Sequence, residues 1–600
     1  MILFFVAGCG QSNPADNLFE SNIQFVEVPV DSGELSISIN SPIADGKKVS
    51  YQVQLTGVCG AAGKVVEITG AATAYSVCLA DKTWSATIDL SNAAVGNLTL
   101  DAYLVSEVSG TKRKSSPATR VLNKISSDCD TKAKRDSTFA NIASGGNGNT
   151  VPYTLCTAAQ LANIRSNAAY LAHKYEVLND LDFTGTLHLT IAGTFTGQIE
   201  GNGFSVKGLN IVQGTTAEIG LFQYLNGATI QNLTFTNTSI VGAGQTGTLA
   251  GRIRGTATTT LENLKFDGTV TGTTNVGGIA GYIDGTPTVV MNQITSSLAV
   301  SGSSSSVGGL LGQSSTAGSS LTVSNATLSG TIQGTTQVGG VVGYAVGSLT
   351  MNSVTKTGNV ILTTSYGAGF VGRAGAALSI TSGTFTGNVT SSINGGAAYV
   401  GGLAGQAAST TTVSTCSVTG DINAGGTHVG GVIGDVHSGS ISTCRYLGQI
   451  TAVDTAAGTL LERIGGIVGN HSNAAGLAIS NCVVAGGIDG NAFTIGSITT
   501  GGRYVGGIAG VLTTGATVSQ SKAFMHVSGR QQRLSVGIGS FNGTTVDQLT
   551  TSGNITIEEA ATATNLGGVI GGSYNNAVEV TNVQFTGNII VNSITTTPSN

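Results

Sequence analysis

The stretch VGGIAGY, Val276–Tyr282, returns along the chain as VGGLLGQ (Val307–Gln313), VGGVVGY (Val338–Tyr344), VGGLAGQ (Val400–Gln406) and VGGVIGD (Val429–Asp435). The wider motif is two adjacent glycines between aliphatic residues and a third glycine three positions later. It starts eight times, at Val276, Val307, Val338, Val400, Val429, Ile464, Val505 and Leu566. Degenerate copies begin at Thr246, Gly367 and Val536. Most steps are about 30 residues, with insertions before Ile464 and Val505, and fixed self-similarity of that period marks a solenoid rather than several unrelated domains. Between the glycine motifs runs a second pattern of alternation, as in LENLKFDGTVTG, VSTCSVTGDINA and ISNCVVAGGIDG. Alternation turns one face inward and one outward, and no helical period competes with it.

Glycine inside a strand costs about 0.5–1 kcal/mol relative to alanine. Repeated three times per copy, that penalty rivals the ~5–15 kcal/mol stability of a whole ordinary domain. Alanine therefore does not fit, either because φ is positive at a tight corner or because backbone approaches backbone closely. The recurring pairs are Gly277 and Gly278, Gly308 and Gly309, Gly339 and Gly340, Gly401 and Gly402, Gly430 and Gly431, Gly465 and Gly466, Gly506 and Gly507, and Gly567 and Gly568. A phosphate loop is excluded by context, since no copy continues into Lys-Ser/Thr and no helix pattern follows.

Composition narrows the class. Glycine fills 89 of 600 positions, about twice the usual ~7%, and charged residues make up 10% where ~25% is typical. Net charge is −5 and there is no basic run, which argues against nucleic acid and electrostatic membrane docking.

The opening MILFFVAGCG resembles the lipobox of bacterial lipoprotein signal peptides, carried by Val6, Ala7, Gly8 and Cys9. The resemblance implies lipidation at Cys9, export, and attachment to the outer membrane or cell surface through the lipid alone. Residues 1–9 are then the signal and 10–24 a polar tether. Residues 25–123 alternate with period 2 between turn signals such as ADGK and AAVGN, the pattern of a sandwich. The segment from Cys78 to Val105 resembles bacterial Ig-like repeats, with Trp84 expected in the core and Gly96 at a turn. Residues 124–152 read as a linker and 153–600 as the solenoid. Thr157 with Gln160 fits a capping box, and Leu161, Ile164, Ala168 and Leu171 share one helical face, so a capping helix is expected over one end of the solenoid.

The VGGIAG copies and N-C-x-V-x-G segments, with the lead-in YTLCTAAQLANIRS, YEVLNDLDFTG and FTGQIEGNGFSVKGLNI, resemble the GLUG-motif repeats of bacterial surface proteins from about Tyr153 onward. The resemblance implies a right-handed parallel β-helix. Such repeats occur in adhesins and beside IgA-cleaving metallopeptidase domains, where the repeats themselves are not catalytic.

Eight cysteines fit export. Cys59 with Cys78, and Cys129 with Cys156, read as disulfides of an oxidising compartment. Cys416, Cys444 and Cys482 fall at one place in consecutive repeats, and buried free thiols are favoured there over a disulfide because ladder side chains run parallel.

Catalytic signatures are thin. None of the six histidines, His173, His188, His428, His437, His471 and His526, is followed by Glu, and all read as surface polar residues. Asp180 and Asp182 share one side of a strand and read as cap or turn residues. Asp435, Asp454 and Glu462 neighbour His437 without a fixed spacing. A threonine ladder of the ice-binding kind is interrupted, since the residue before the repeat glycine changes from Asp267 to Ser329, Thr357, Thr386, Thr419, Leu447 and Ala485.

The expectation is an all-β chain: a lipid-anchored adhesin or stalk that binds a glycan or protein through a low-charge solenoid face, with no cofactor, metal or catalytic residue. The alternative is a polysaccharide lyase or hydrolase on the same scaffold, which needs clustered acids or bases. The chain stops after a strand signal with no capping helix, so that end is expected to continue, meet a partner or fray.

Overall fold

In the computed structural model, residues 35–591 are described except 41–44, 109–110, 143–144, 216, 305, 393–397, 426, 453–462, 474, 486–487, 490–491, 494–495, 501–502, 530–532, 558–564 and 574–577. The lipobox with Cys9, the tether, Asp454 and Glu462 lie outside the described residues. The chain divides into two compact units, one comprising residues 1–146, 153–160 and 177–180, the other 147–152, 161–176 and 181–600.

In the first unit, Gln52–Val58 pairs antiparallel with Thr83–Asp89. A second sheet orders Lys47–Val49, Ala118–Lys124, Gly96–Val108, Val65–Gly70 and Ala74–Val77, with Thr111–Lys114 off the long strand. The period-2 sequence buries every other residue of Gln52–Val58 and Thr83–Asp89. Both sheets contribute to one core around Leu55, Val66, Trp84, Ile88, Leu100 and Leu122. Trp84 is 1% exposed, and its indole donates to the Ser38 carbonyl at 3.1 Å, which satisfies the one polar atom it buries.

Cys59–Cys78 and Cys129–Cys156 are disulfides, with Cα separations of 6.1 and 5.4 Å. The stretch read as a linker carries packed structure. Ser127 caps the turn Asp128–Asp130, Lys132–Asp136 is helical, and Phe139 and Ala140 are buried. Phe139 stacks on Tyr153 at 4.5 Å.

The expected capping helix is a correction. Instead of one helix there are three short turns, Ala158–Ala162, Asn163–Ser166 and Ala168–Ala172. Asn167 adopts extended backbone and its side chain accepts from Ala169 N, so the helix stops and restarts. Leu161 and Ile164 are buried but Ala168 is exposed. Only half of the capping box forms. Gln160 N donates to Thr157 Oγ1 at 3.3 Å, whereas the Gln160 amide accepts from Cys156 N and donates to the carbonyls of Lys134, Arg135 and Ser137.

The second unit is a parallel β-solenoid. One of its sheets has twelve strands, from Glu218–Ile219 to Asn565–Gly567, one per coil. A coil holds four strands where the sequence suggested two. The coil Val276–Gly277, Ala280–Gly285, Thr288–Ser296 and Ala299–Gly302 pairs in register with Ser306–Gly308, Leu311–Ser314, Ser320–Leu328 and Ile332–Gly334. Inward residues stack in rows: Val276 on Val307 on Val338, and Phe235 on Phe266 with ring centroids 5.1 Å apart.

Two further corrections concern this unit. The copy placed at Val536 is out of step: Leu534 is the partner of both Val505 and Leu566, so Ser535 and Val536 occupy the paired-glycine places. Of the stacked cysteines, Cys416 and Cys444 form a disulfide with Cα atoms 4.5 Å apart, and Cys482 is the buried thiol left over. Parallel side chains on adjacent coils start within disulfide range, so a turn about χ1 suffices to join them.

The solenoid core also encloses an amine. Lys356, between Leu328 and Phe385 in its row, is fully buried. Its Nζ donates to Gly330 O at 2.5 Å and Gly358 O at 2.7 Å, and burial pulls its pKa down to about 7.

Candidate functional site

The paired glycines stack at one corner of the coils that carry them. None of them has φ in the left-handed region. A Cβ on the first, at Gly277, Gly308 or Gly339, would lie closer than 3.0 Å to the carbonyl three residues on (Ala280, Leu311, Val342). On the second, at Gly278, Gly309 or Gly340, it would meet the carbonyl of the equivalent glycine in the next coil (Gly309, Gly340, Gly369). The pairs Gly401–Gly402, Gly430–Gly431 and Gly465–Gly466 repeat both contacts, Gly506–Gly507 meets Ala509 O and Val536 O, and Gly567–Gly568 meets Ile570 O and the Phe585 ring. Of the two reasons open from sequence, close approach is the one that operates.

The corner places two side-chain rows next to one another. The residue before the motif gives Gln337, Tyr366, Tyr399, His428, Arg463, Tyr504, Arg533 and Asn565 in successive coils. The residue after it gives Arg252, Tyr282, Gln313, Tyr344, Arg373, Gln406, Asp435 and Asn470. The rows touch within a coil, as where Arg373 lies over the Tyr366 ring at 5.0 Å and Ser306 Oγ donates to Gln313 Oε1 at 3.2 Å. Tyr366 stacks on Tyr399 at 4.9 Å and Tyr399 on His428 at 4.7 Å. Arg463 Nη1 donates to His428 Nε2 at 2.9 Å, which requires a neutral imidazole whose Nδ1–H faces Thr427 Oγ1 at 2.7 Å.

Burial holds the His428 pKa down to about 4; Asp435 opposes that shift and Arg463 adds to it. Asp435 is 2% exposed and accepts from Gln406 Nε2 at 3.1 Å, Asn470 Nδ2 at 2.6 Å and Ser472 Oγ at 3.2 Å. His437 Nε2 stands 3.9 Å away from it.

Other residues singled out in the sequence do not converge. His188, His428 and His471 are buried, not surface residues. His471 Nε2 lies against the carbonyls of His437 and Ala475. Asp180 pairs with Lys47 at 3.2 Å, while Asp182 accepts from Thr184 N at 2.8 Å in the expected turn role. Burial raises the Cys482 thiol to about 11, which leaves it inert as a nucleophile. The two rows beside the glycine corner escaped sequence reading. Aligning the copies and reading down the column just outside each motif would have exposed them.

A groove of about 550 Å³ opens elsewhere on the solenoid. Its floor is Gly242, Gly272, Gly302 and Gly334, its walls include Thr271, Ser301, Gln333 and Thr335, and the floor row ends where Leu362 follows Gly334. No charged side chain lines it.

Comparison with known proteins agrees with the architecture. The GLUG motif family matches residues 396–423, which is most of one coil including its glycine corner. Halomucin of Haloquadratum walsbyi is 29% identical over 159 residues, 24% of this chain and 2% of that protein's length. A putative immunoglobulin A1 protease from Bacteroides ovatus aligns over 59% of this chain and 79% of its own, at 16% identity and a TM-score of 0.30. That score carries no argument. The chain is a β-solenoid that contains the GLUG motif.

Proposed function

We propose that this chain is an exported bacterial surface adhesin or stalk, lipid-anchored at Cys9, in which an Ig-like N-terminal unit spaces a partner-binding β-solenoid. The observation that carries the reading is the uncharged groove on Gly242, Gly272, Gly302 and Gly334, walled by hydroxyl and amide side chains. Successive coils present equivalent polar groups at ~4.8 Å intervals along the axis. That suits a neutral polymer such as a glycan, or a protein surface, better than a small charged metabolite. The disulfides Cys59–Cys78, Cys129–Cys156 and Cys416–Cys444 support an oxidising compartment. A non-enzymatic role is supported by Asp435, whose carboxylate is engaged by Gln406, Asn470 and Ser472 rather than poised toward solvent.

The test is a glycan array and a cell-binding assay with the soluble chain from Gly10 onward. Saturable binding that weakens in Ser301→Lys/Gln333→Lys is expected. Turnover of a polysaccharide by the same preparation would replace the adhesin with an enzyme, and failure to bind any glycan or cell surface would leave the adhesin reading without support.

A further inference from the structure

One outward row of the solenoid changes its chemistry along its length. Val212 is level with Val241, Val241 with Thr271, Thr271 with Ser301, and Ser301 with Gln333, each pair in register on adjacent coils. Leu187 bridges to Asn210 in parallel, which brings Leu189 level with Val212. Thr271, Ser301 and Gln333 wall the uncharged groove, and Val241 lines it too. Before Thr271 the row is aliphatic and open to solvent: Leu189 is 55% exposed, Val212 54% and Val241 37%, with Leu187 beside them at 71%. The core does not need these side chains, since Ile211 and Ile240 fill the inward places next to them at 0% exposure. Alternation calls for polar residues outside, and the row obeys it from Thr271 onward but breaks it in three successive coils before that. Single exposed aliphatics are ordinary; a contiguous run of them marks a contact surface.

We infer that the groove takes a neutral glycan with an apolar tail, as in a glycolipid, its sugars on Thr271, Ser301 and Gln333 and its tail on Leu187, Leu189, Val212 and Val241. The inference deepens the groove reading proposed above and rests on it. Because the row is continuous, a chain lying along the groove runs straight onto the aliphatic segment. Leu189 to Val241 spans two coil steps, as does Thr271 to Gln333, ~10 Å each at the usual strand spacing. That is room for a short run of methylenes and for a few sugar rings, each on a track one side chain wide. Covering the aliphatic segment removes apolar surface from water, which supplies the affinity. Four partly exposed side chains fall well short of the ~800 Å² per partner that a stable protein complex buries. With no charged side chain lining the groove, a phosphate or an acidic sugar would have nothing to pair with, so the head is neutral.

The experiment applies the soluble chain from Gly10 onward to an array on which each neutral oligosaccharide stands both free and as its dodecyl glycoside. Paired hits are then titrated below the micelle concentration. The tailed form should bind at least tenfold tighter than the free sugar. In Leu187→Gln/Leu189→Gln/Val212→Gln, none of which lines the groove, that difference should vanish, whereas Ser301→Lys/Gln333→Lys should weaken both forms. Far-UV circular dichroism and urea midpoints check that the variants remain folded. Equal affinity for the two forms, or a difference that persists in the triple variant, overturns the inference. So does equally tight binding of a dodecyl tail on glycerol, which would uncouple the aliphatic segment from the groove. A wild-type dimer that the triple variant makes monomeric, or wild-type binding to phosphatidylcholine vesicles that the variant loses, gives the segment to a second copy or a membrane and overturns it too. If free glycans bind in a Ser301- and Gln333-dependent way and the tail adds nothing, this inference fails alone. If no glycan binds in either form, the groove reading fails with it.

Discussion

Each coil turns two kinds of corner, and they solve opposite problems. At Gly277–Gly278 the backbone keeps ordinary φ but leaves no space for a Cβ. At Asn263 it swings to a φ of 48°, and the same left-handed turn recurs at Gln293 (55°), Asn325 (52°), Ser353 (54°), Thr415 (54°), Thr443 (54°) and Asn481 (52°). The residue type best able to take positive φ is thus absent from the place that needs it. Asn is the natural substitute, since its short polar side chain tolerates this region, whereas Ser, Thr and Gln bear the strain. The side chains bring a compensating gain: Asn263 Nδ2 donates to Asn232 Oδ1 at 2.7 Å in the previous coil, and Asn325 Nδ2 to Asn292 Oδ1 at 3.0 Å. Glycine here encodes proximity and a polar side chain encodes handedness.

The glycine corner itself is graded. Ala368 and Ser535 replace the first glycine, and Thr248 and Val536 replace the second, so local opening of the corner admits some side chains. The third glycine has no such substitute from Gly251 through Gly281, Gly312, Gly343, Gly372, Gly405, Gly434, Gly469, Gly510, Gly539 and Gly571. A Cβ at Gly343 would be closer than 3.0 Å to Gly312 O, Val307 N and Gln337 O, backbone on every side. Because its row admits no substitute, Gly343→Ala should be the more damaging substitution, ~3 kcal/mol or more in urea unfolding, with local loss of amide protection. Gly339→Ala, in the row that already holds Ala368, should cost about half as much. Equal costs would break the grading.

Lys356 tests the interior beneath that corner, since its Cε is among the atoms a Cβ on Gly340 would meet. Lys356→Met should stabilise the solenoid by roughly 1–3 kcal/mol near neutral pH, because it removes a buried amine. The sign of its pH dependence follows from the depressed pKa. Between about 7 in the fold and the ordinary 10.5, the unfolded chain holds the extra proton. Wild-type stability should therefore rise with pH across that window, with the full penalty present below it. The methionine variant should lose that rise, and a persisting slope would assign it to another group.

The left-handed corner should show the smallest effects. Ser353→Gly is expected within ~0.5 kcal/mol of wild type or slightly stabilising, as relief of φ strain offsets lost chain stiffness. Ser353→Val should cost ~1–2 kcal/mol, because a β-branched residue resists positive φ. A destabilising Ser353→Gly would mean that the side chain matters more than the conformation, which would undo the contrast with the glycine corner.

Fold class was legible because period and alternation are local properties of the chain. The recurring glycines announced coils, and the cysteine spacing in the N-terminal unit announced two of its disulfides. The candidate site was far less legible. Tyr366, Tyr399, His428 and Arg463 lie 29 to 35 residues apart and span three residue types, so nothing in the linear text joins them. The joining of Cys416 to Cys444 was hidden for a related reason. The spacing showed that they stack, but not which neighbour each thiol would turn toward.

By itself the sequence determined that the backbone winds with a ~30-residue period and approaches itself at the glycine corner, since the cost of so many strand glycines is endured only where a Cβ cannot fit. Tertiary structure alone decided which side chains became neighbours across coils. Parallel stacking sets residues of different repeats ~4.8 Å apart, and register, not sequence distance, chooses the partners.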